Sequence, residues 1–132
     1  MSQGINLTSS AGQLRILLVE DDRDLADVTQ AGLEHEGLRV IVAHDGREGL
    51  ELAERDRPDV IITDLIMPVL DGLELIQRLF AGAPHPPVIA VSAVGSRLRA
   101  ARELGAVEAL VKPVEPRELA AAARKAFRRA HS

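Results

Sequence analysis

The 132-residue chain contains no cysteine, tryptophan or tyrosine, and only two phenylalanines. Without cysteine it can form no disulfide, no thiolate zinc site and no thiol nucleophile. No apolar run approaches the ~20 residues of a membrane-spanning helix, and residues 1–13 lack the basic start and apolar region of a secretory signal. We therefore expect a cytoplasmic protein without membrane contacts, whose core is built from Leu, Ile, Val and Ala.

The length and charge of the chain fit one folded domain with an acidic surface. Hydrophobic residues make up 46% of the chain and charged residues 27%, with a formal net charge of −4. This balance argues against direct nucleic-acid binding. Residues 1–13 are polar and rich in Ser and Gly, which predicts a flexible leader before a domain over 14–132. We expect no helix-turn-helix or other further module after Arg129, so the chain is a stand-alone protein or a domain excised from a larger one.

From Leu14 onward, short apolar runs typical of buried strands alternate with longer amphipathic segments typical of helices. The predicted strands span about 14–19, 38–43, 60–63, 88–91 and 107–111, and the predicted helices about 22–36, 45–57, 72–81, 96–104 and 115–129. Five strands alternating with five helices predict a doubly wound α/β fold, with a parallel sheet covered on both faces.

Four of the predicted strands end at polar residues, namely Glu20-Asp21-Asp22, Asp64, Ser92 and Lys112. Ligands of open parallel sheets bind beyond the carboxyl ends of the strands, so we expect one shared cleft. Crowded carboxylates repel one another unless a cation lies between them, and oxygen ligands suit Mg²⁺. One carboxylate could then attack a phosphoryl group, assisted by the ammonium and the hydroxyl. Singly, each residue also fits a helix cap or a surface charge.

Four segments resemble, in order, the receiver domains of bacterial two-component response regulators: Leu17–Asp22, Asp64–Gly72, Val91–Ala93 and Val111–Pro113. The resemblance runs from about Leu14 to Arg129, and the Asp-x-x-Met-Pro-x-x-Asp-Gly segment is its most specific part. It implies a CheY-like, flavodoxin-like fold with five parallel strands in the order 2-1-3-4-5 and five helices on two faces.

The resemblance also implies roles for the acidic residues. Asp64 would be the phosphoacceptor. Mg²⁺ would be bound by Asp21, by Asp64 and by the backbone carbonyl of Ile66, while Glu20 would act through a metal-bound water. Asp22 matches no ligand position, and we expect it to cap a helix instead.

Further residues are implied around the phosphoryl group. Ser92 would donate a hydrogen bond to it and Lys112 would pair with it, and the bond between Lys112 and Pro113 is expected to be cis. The family usually carries a Tyr or Phe as its switch residue where this chain has Ala109, so the conformational readout is weakened or carried by loops. The helix after Ser92 also looks about two residues short.

The apolar residues beside the site allow two interpretations. Leu65, Ile66, Val69 and Leu70 form either a docking surface for a phosphodonor or part of the core. Since neither Ile66 nor Val94 can orient a water molecule, we expect slow dephosphorylation. The four histidines show no ligand spacing, and we expect none of them to be catalytic.

These patterns together predict a phosphoaccepting signalling domain rather than an enzyme. It would receive a phosphoryl group from a histidine kinase or a histidine phosphotransfer protein, and would then change its affinity for an unknown output partner. One alternative is a receiver-like interaction module that is not phosphorylated, which the small side chain of Ala109 favours. Another is a phosphatase with an aspartyl nucleophile, although the chain lacks the Asp-x-Asp arrangement and the cap insertion of such enzymes.

Overall fold

The computed structural model describes residues 12–82 and 84–132, so most of the predicted leader lies outside the described residues. Within the described ranges, five strands alternate with five helices, as predicted. The strands are β1 (Arg15–Val19), β2 (Arg39–Ala43), β3 (Val60–Asp64), β4 (Val88–Ser92) and β5 (Glu108–Val111). The helices are α1 (Arg23–His35), α2 (Gly46–Asp56), α3 (Gly72–Ala81), α4 (Gly95–Leu104) and α5 (Pro116–Ala130). None of these helices is long and apolar enough to cross a membrane.

The five strands form one parallel sheet in the order β2-β1-β3-β4-β5, which confirms the expected topology. The central strands β1 and β3 are direct neighbours, with Leu17 paired to Ile61 and Val19 to Thr63. Because all strands run in the same direction, their carboxyl ends meet at one edge of the sheet. Residues that follow β1 and β3 are therefore close in space although they are more than forty positions apart in the sequence.

Alternate strand residues face opposite sides of the sheet and build two separate cores. Leu17 and Ile61 belong to the core covered by α2, α3 and α4, whereas Leu18 and Ile62 belong to the core covered by α1 and α5. All four side chains are at most 4% exposed. Burial of each such side chain contributes about 1.5–3 kcal/mol, so the two cores hold the strand ends in fixed positions.

Helices α1 and α3 begin at capping aspartates that follow the carboxyl ends of β1 and β3. The carboxylate of Asp22 accepts a hydrogen bond from the main-chain N–H of Leu25 at 3.1 Å, as expected for a capping role. Asp71 accepts one from Glu74 at 3.0 Å. Such caps contribute about 0.5–2 kcal/mol each and fix the point at which the chain leaves the edge of the sheet.

The cap of α2 uses a different arrangement. Asp45 accepts a hydrogen bond from the N–H of Glu48 at 2.8 Å, as its capping position implies. The carboxylate of Glu48, however, accepts from the main-chain N–H of His44 at 2.7 Å instead of that of Asp45. In a capping box, this carboxylate would accept from the N–H of the capping residue itself. Here it accepts from the residue before the cap, His44, which directly follows β2.

The start of α3 packs directly on the end of β3. A Cβ atom on Gly72 would overlap the carbonyl oxygen of Asp64 and lie within 2.7 Å of the Cα of Leu65. Only glycine permits this approach of the two backbones. The last residue of β3 is therefore held from behind by the first turn of α3.

Candidate functional site

Three carboxylates meet at the carboxyl edge of the sheet. Glu20 and Asp21 directly follow β1, and Asp64 is the last residue of β3. One oxygen from each carboxylate lies within 4.8 Å of the others. Glu20 and Asp64 are buried, with 6% and 9% of their surface exposed, while Asp21 is half-buried. The predicted acidic cluster is therefore present and largely shielded from water.

The ammonium of Lys112, which follows β5, bridges two of these carboxylates. Its Nζ donates to Oδ2 of Asp64 at 3.1 Å and to Oε1 of Glu20 at 3.2 Å. The other oxygen of Asp64 accepts a hydrogen bond from the N–H of Leu65 at 2.8 Å. The side chains of Glu20, Asp64 and Lys112 line a cleft of about 370 Å³. Both oxygens of Asp64 thus have defined partners, and its carboxylate has a fixed orientation.

The local electrostatics are those of an incompletely neutralised site. Burial raises the pKa of Glu20; the hydrogen bond from Asp22 N–H lowers it, the nearby charge of Asp64 raises it further, and Lys112 lowers it, with a net rise. For Lys112, burial works against the charged form, but the bonds and charges of Asp64 and Glu20 outweigh it and raise its pKa. One ammonium faces three carboxylates, so a further cation would be favourable here.

Ser92 and the bond between Lys112 and Pro113 lie at the carboxyl edge of the sheet, as predicted. Ser92 ends β4 and is 1% exposed. Its Oγ accepts a hydrogen bond from the N–H of Val94 at 3.1 Å, which leaves the hydroxyl proton free to be donated. The main-chain N–H of Lys112 donates to the carbonyl of Ser92 at 3.0 Å. The peptide bond between Lys112 and Pro113 is cis, as expected.

The apolar residues beside the site divide into core and surface. Leu65 and Leu70 are buried, with 0% and 7% exposed. Ile66 and Val69 are 51% and 78% exposed, and Val94 is 40% exposed. Val69 has a φ of 71°, a left-handed conformation that is unfavourable for a β-branched residue. Of the four candidate docking residues, only Ile66 and Val69 present a surface.

Ala109 occupies a partly buried position in β5, paired in register with Ala90 of β4. Its methyl group packs against the core covered by α2, α3 and α4. No aromatic ring is available at this position to move between inward and outward orientations.

One contact at the site was not predicted from the sequence. Nδ1 of His44 lies 3.3 Å from the main-chain carbonyl oxygen of Glu20. The ring is half-buried at the end of β2, the strand next to β1. Its position after a strand that the resemblance places beside β1 was the available signal, but the sequence does not show that the ring turns toward the carbonyl of Glu20.

The family description "Response regulator receiver domain" matches residues 16–124. The chain therefore belongs to the receiver domain family of two-component response regulators, and this membership argues against the aspartyl phosphatase alternative. The transcriptional regulatory protein CpxR of Escherichia coli K12 is 42% identical over 119 residues, which are 89% of this chain and 50% of that protein. Response regulator MprA of Mycobacterium leprae is 39% identical over 119 residues, 88% of this chain and 52% of that protein. The chain thus spans about half the length of these curated relatives.

Solved structures give the same assignment. The receiver domain of Francisella response regulator 1452 superimposes with a TM-score of 0.83 at 30% identity, covering 89% of this chain and 99% of that one. A response regulator receiver domain from Clostridium thermocellum gives a TM-score of 0.84 at 30% identity, covering 89% and 97%. The fold of the chain is therefore that of a response regulator receiver domain.

Proposed function

We propose that Asp64 accepts a phosphoryl group from the phosphohistidine of a histidine kinase or a histidine phosphotransfer protein, and that the new charge changes the affinity of the domain for a partner. The observation that carries this proposal is the buried carboxylate of Asp64, flanked by two further carboxylates and contacted by Lys112. An aspartate oxygen in this setting is a suitable nucleophile once the charge around it is balanced.

Mg²⁺ fits the donor set of the site. All side-chain donors in the cluster are carboxylate oxygens, the ligands that this ion prefers. Asp21 and Asp64, with the backbone carbonyl of Ile66, would hold the ion directly, and Glu20 would act through a bound water. When bound, the ion neutralises charge on the phosphoryl oxygens during transfer.

The proposed step forms one bond and breaks another. An oxygen of Asp64 attacks phosphorus, the bond from phosphorus to the donor's imidazole nitrogen breaks, and its electron pair remains on that nitrogen. The product is an acyl phosphate on Asp64. Lys112 then pairs with the phosphoryl oxygens, and the hydroxyl of Ser92 donates to one of them. These groups stabilise developing charge, which is the main demand of phosphoryl transfer.

Phosphodonor treatment followed by intact-protein mass spectrometry tests the proposal. The wild type, incubated with acetyl phosphate and Mg²⁺, should gain one phosphoryl group, and D64N should gain none. D27N, which changes an exposed aspartate on α1, is the matched control and should behave as the wild type. Omission of Mg²⁺ should abolish the modification. Equal labelling of D64N and the wild type would show that Asp64 is not the acceptor.

Ala109 favours one alternative, a module that binds its partner without phosphorylation, because a methyl group cannot act as a rotating switch. NMR amide spectra with and without beryllofluoride and Mg²⁺ separate the two functions. A phosphoacceptor shows shifted amides around Asp64 and Ser92, whereas the alternative shows none.

The same proposal includes three further expectations. The protein is located in the cytoplasm, it does not bind nucleic acid directly, and it catalyses no reaction beyond its own phosphorylation and slow dephosphorylation.

A further inference from the structure

We propose that His44 is a positioning residue for the acidic turn, the segment Glu20-Asp21 that follows β1. The proposal rests on the proposed function, since it concerns the Mg²⁺ affinity of that site. The imidazole would hold the main chain from which the two carboxylates project, without binding the ion itself.

The contacts of the Glu20 main chain carry this inference. Its N–H donates to the carbonyl of Ala43 at 2.9 Å, which extends the pairing of β1 with β2 by one bond. Its own carbonyl oxygen lies 3.3 Å from Nδ1 of His44. Because a carbonyl oxygen can only accept, Nδ1 carries the proton in this contact. Both main-chain polar groups of Glu20 are therefore anchored to the end of β2, the N–H by the backbone and the carbonyl by the ring.

The main chain of His44, which carries the ring, is itself held by hydrogen bonds. The main-chain N–H of His44 donates to Oε1 of Glu48 at 2.7 Å, and the N–H of Glu48 donates to Oδ1 of Asp45 at 2.8 Å. The residue is thus fixed between the last residue of β2 and the first turn of α2. A donor held in this way can restrain the neighbouring turn.

The restraint acts mainly on Asp21. The carboxylate of Glu20 already has two partners, Lys112 Nζ at 3.2 Å and the N–H of Asp22 at 3.1 Å. The peptide unit joining Glu20 to Asp21 is planar, so a fixed Glu20 carbonyl also fixes the direction in which the chain enters Asp21. Mg²⁺ demands near-octahedral geometry, and a carboxylate held by a looser backbone would bind it less well.

Direct ligation by His44 is the competing role, and the geometry argues against it. Among the described residues, the ligand atoms that lie within 4.8 Å of one another come from Glu20, Asp21 and Asp64. The imidazole is instead directed at a main-chain oxygen, and Mg²⁺ prefers oxygen ligands to nitrogen.

Mg²⁺ titration of three proteins, followed by calorimetry and by the amide NMR signal of Asp21, tests the proposal. In H44N the side-chain amide places an N–H close to the position of Nδ1, whereas H44L has a similar size and no donor. We expect H44L to bind Mg²⁺ roughly two- to tenfold more weakly, the range that one neutral hydrogen bond spans. H44N should remain within about twofold of the wild type. H35L, at the exposed end of α1, is the matched control and should leave the affinity unchanged.

Two outcomes would overturn the inference. Wild-type affinity in H44L would show that the contact does not support the site. Equal weakening of H44L and H44N would show that the ring acts by packing and not as a donor. If the wild type itself did not bind Mg²⁺, the proposed function would be overturned instead. This outcome is seen without any variant, which distinguishes it from the other two.

Discussion

Replacement of Lys112 by methionine tests the charge balance of the site most directly. In K112M the carboxylates of Glu20 and Asp64, each no more than 10% exposed at the side chain, would lose the ammonium that bridges them. Removal of one partner from a buried ion pair costs about 3–5 kcal/mol. Because Lys112 is 26% exposed and water partly replaces it, we expect a loss of about 2–3 kcal/mol in the absence of Mg²⁺.

The loss should depend on pH in a defined direction. The folded-state pKa of Glu20 is already raised, first by burial, and Lys112 is one of the groups that lower it. Without that ammonium, the folded protein holds the proton of Glu20 to a higher pH than the unfolded chain does. Stability of K112M should therefore fall as pH rises from the unfolded pKa of a glutamate through the folded pKa, and the deficit should be smaller in acid than at neutral pH.

The assay is urea unfolding followed by far-ultraviolet circular dichroism, because the chain has neither tryptophan nor tyrosine for fluorescence. K125M, which changes the only other lysine, at an exposed position of α5, is the matched control and should stay within about 0.5 kcal/mol of the wild type. Added Mg²⁺ should reduce the deficit of K112M because it supplies the missing positive charge. Wild-type stability of K112M at neutral pH without Mg²⁺ would refute this account of the site.

Three further predictions concern the elements that hold the site. G72A should lose about 1–3 kcal/mol in urea unfolding because its methyl group overlaps the Asp64 carbonyl; an unchanged midpoint would show that the two backbones can separate freely. D22A should lose about 1 kcal/mol through its missing cap in the same assay, and D22N should retain most of that stability. The acyl phosphate should decay slowly, because the apolar side chain of Ile66 cannot orient water, and I66N should hasten its decay. Loss of radiolabel from the wild type within seconds would contradict this.

Much of the fold could be predicted because each strand is a short apolar run that stops at a polar residue or a turn. The runs ending at Asp64 and Ser92 gave strand ends that agree with β3 and β4 to within one residue. The order of the strands in the sheet cannot be predicted in this way. Val19 pairs with Ala43 on one side and Thr63 on the other, and no local pattern records such long-range pairing. The order came from the family resemblance.

The candidate site could be predicted as a set of residues but not as a set of contacts. Glu20 and Lys112 follow strands in the sequence, whereas their 3.2 Å bond depends on how far the lysine side chain reaches across the strand ends. Burial within the loop after Asp64 was also beyond prediction. Leu65 is buried and Val69 is exposed, although both are apolar, and no local pattern records the left-handed conformation at Val69.

Lys112 also connects strands mechanically. Its ammonium joins Glu20 beyond β1 to Asp64 of β3, and its main-chain N–H holds Ser92 at the end of β4, while the residue itself extends the edge strand β5. Four strand ends are thus tied by one side chain and its backbone. If a new anion formed at Asp64, a movement of the ammonium toward it would strain bonds to several strand ends at once, and this coupling would need no aromatic ring at Ala109.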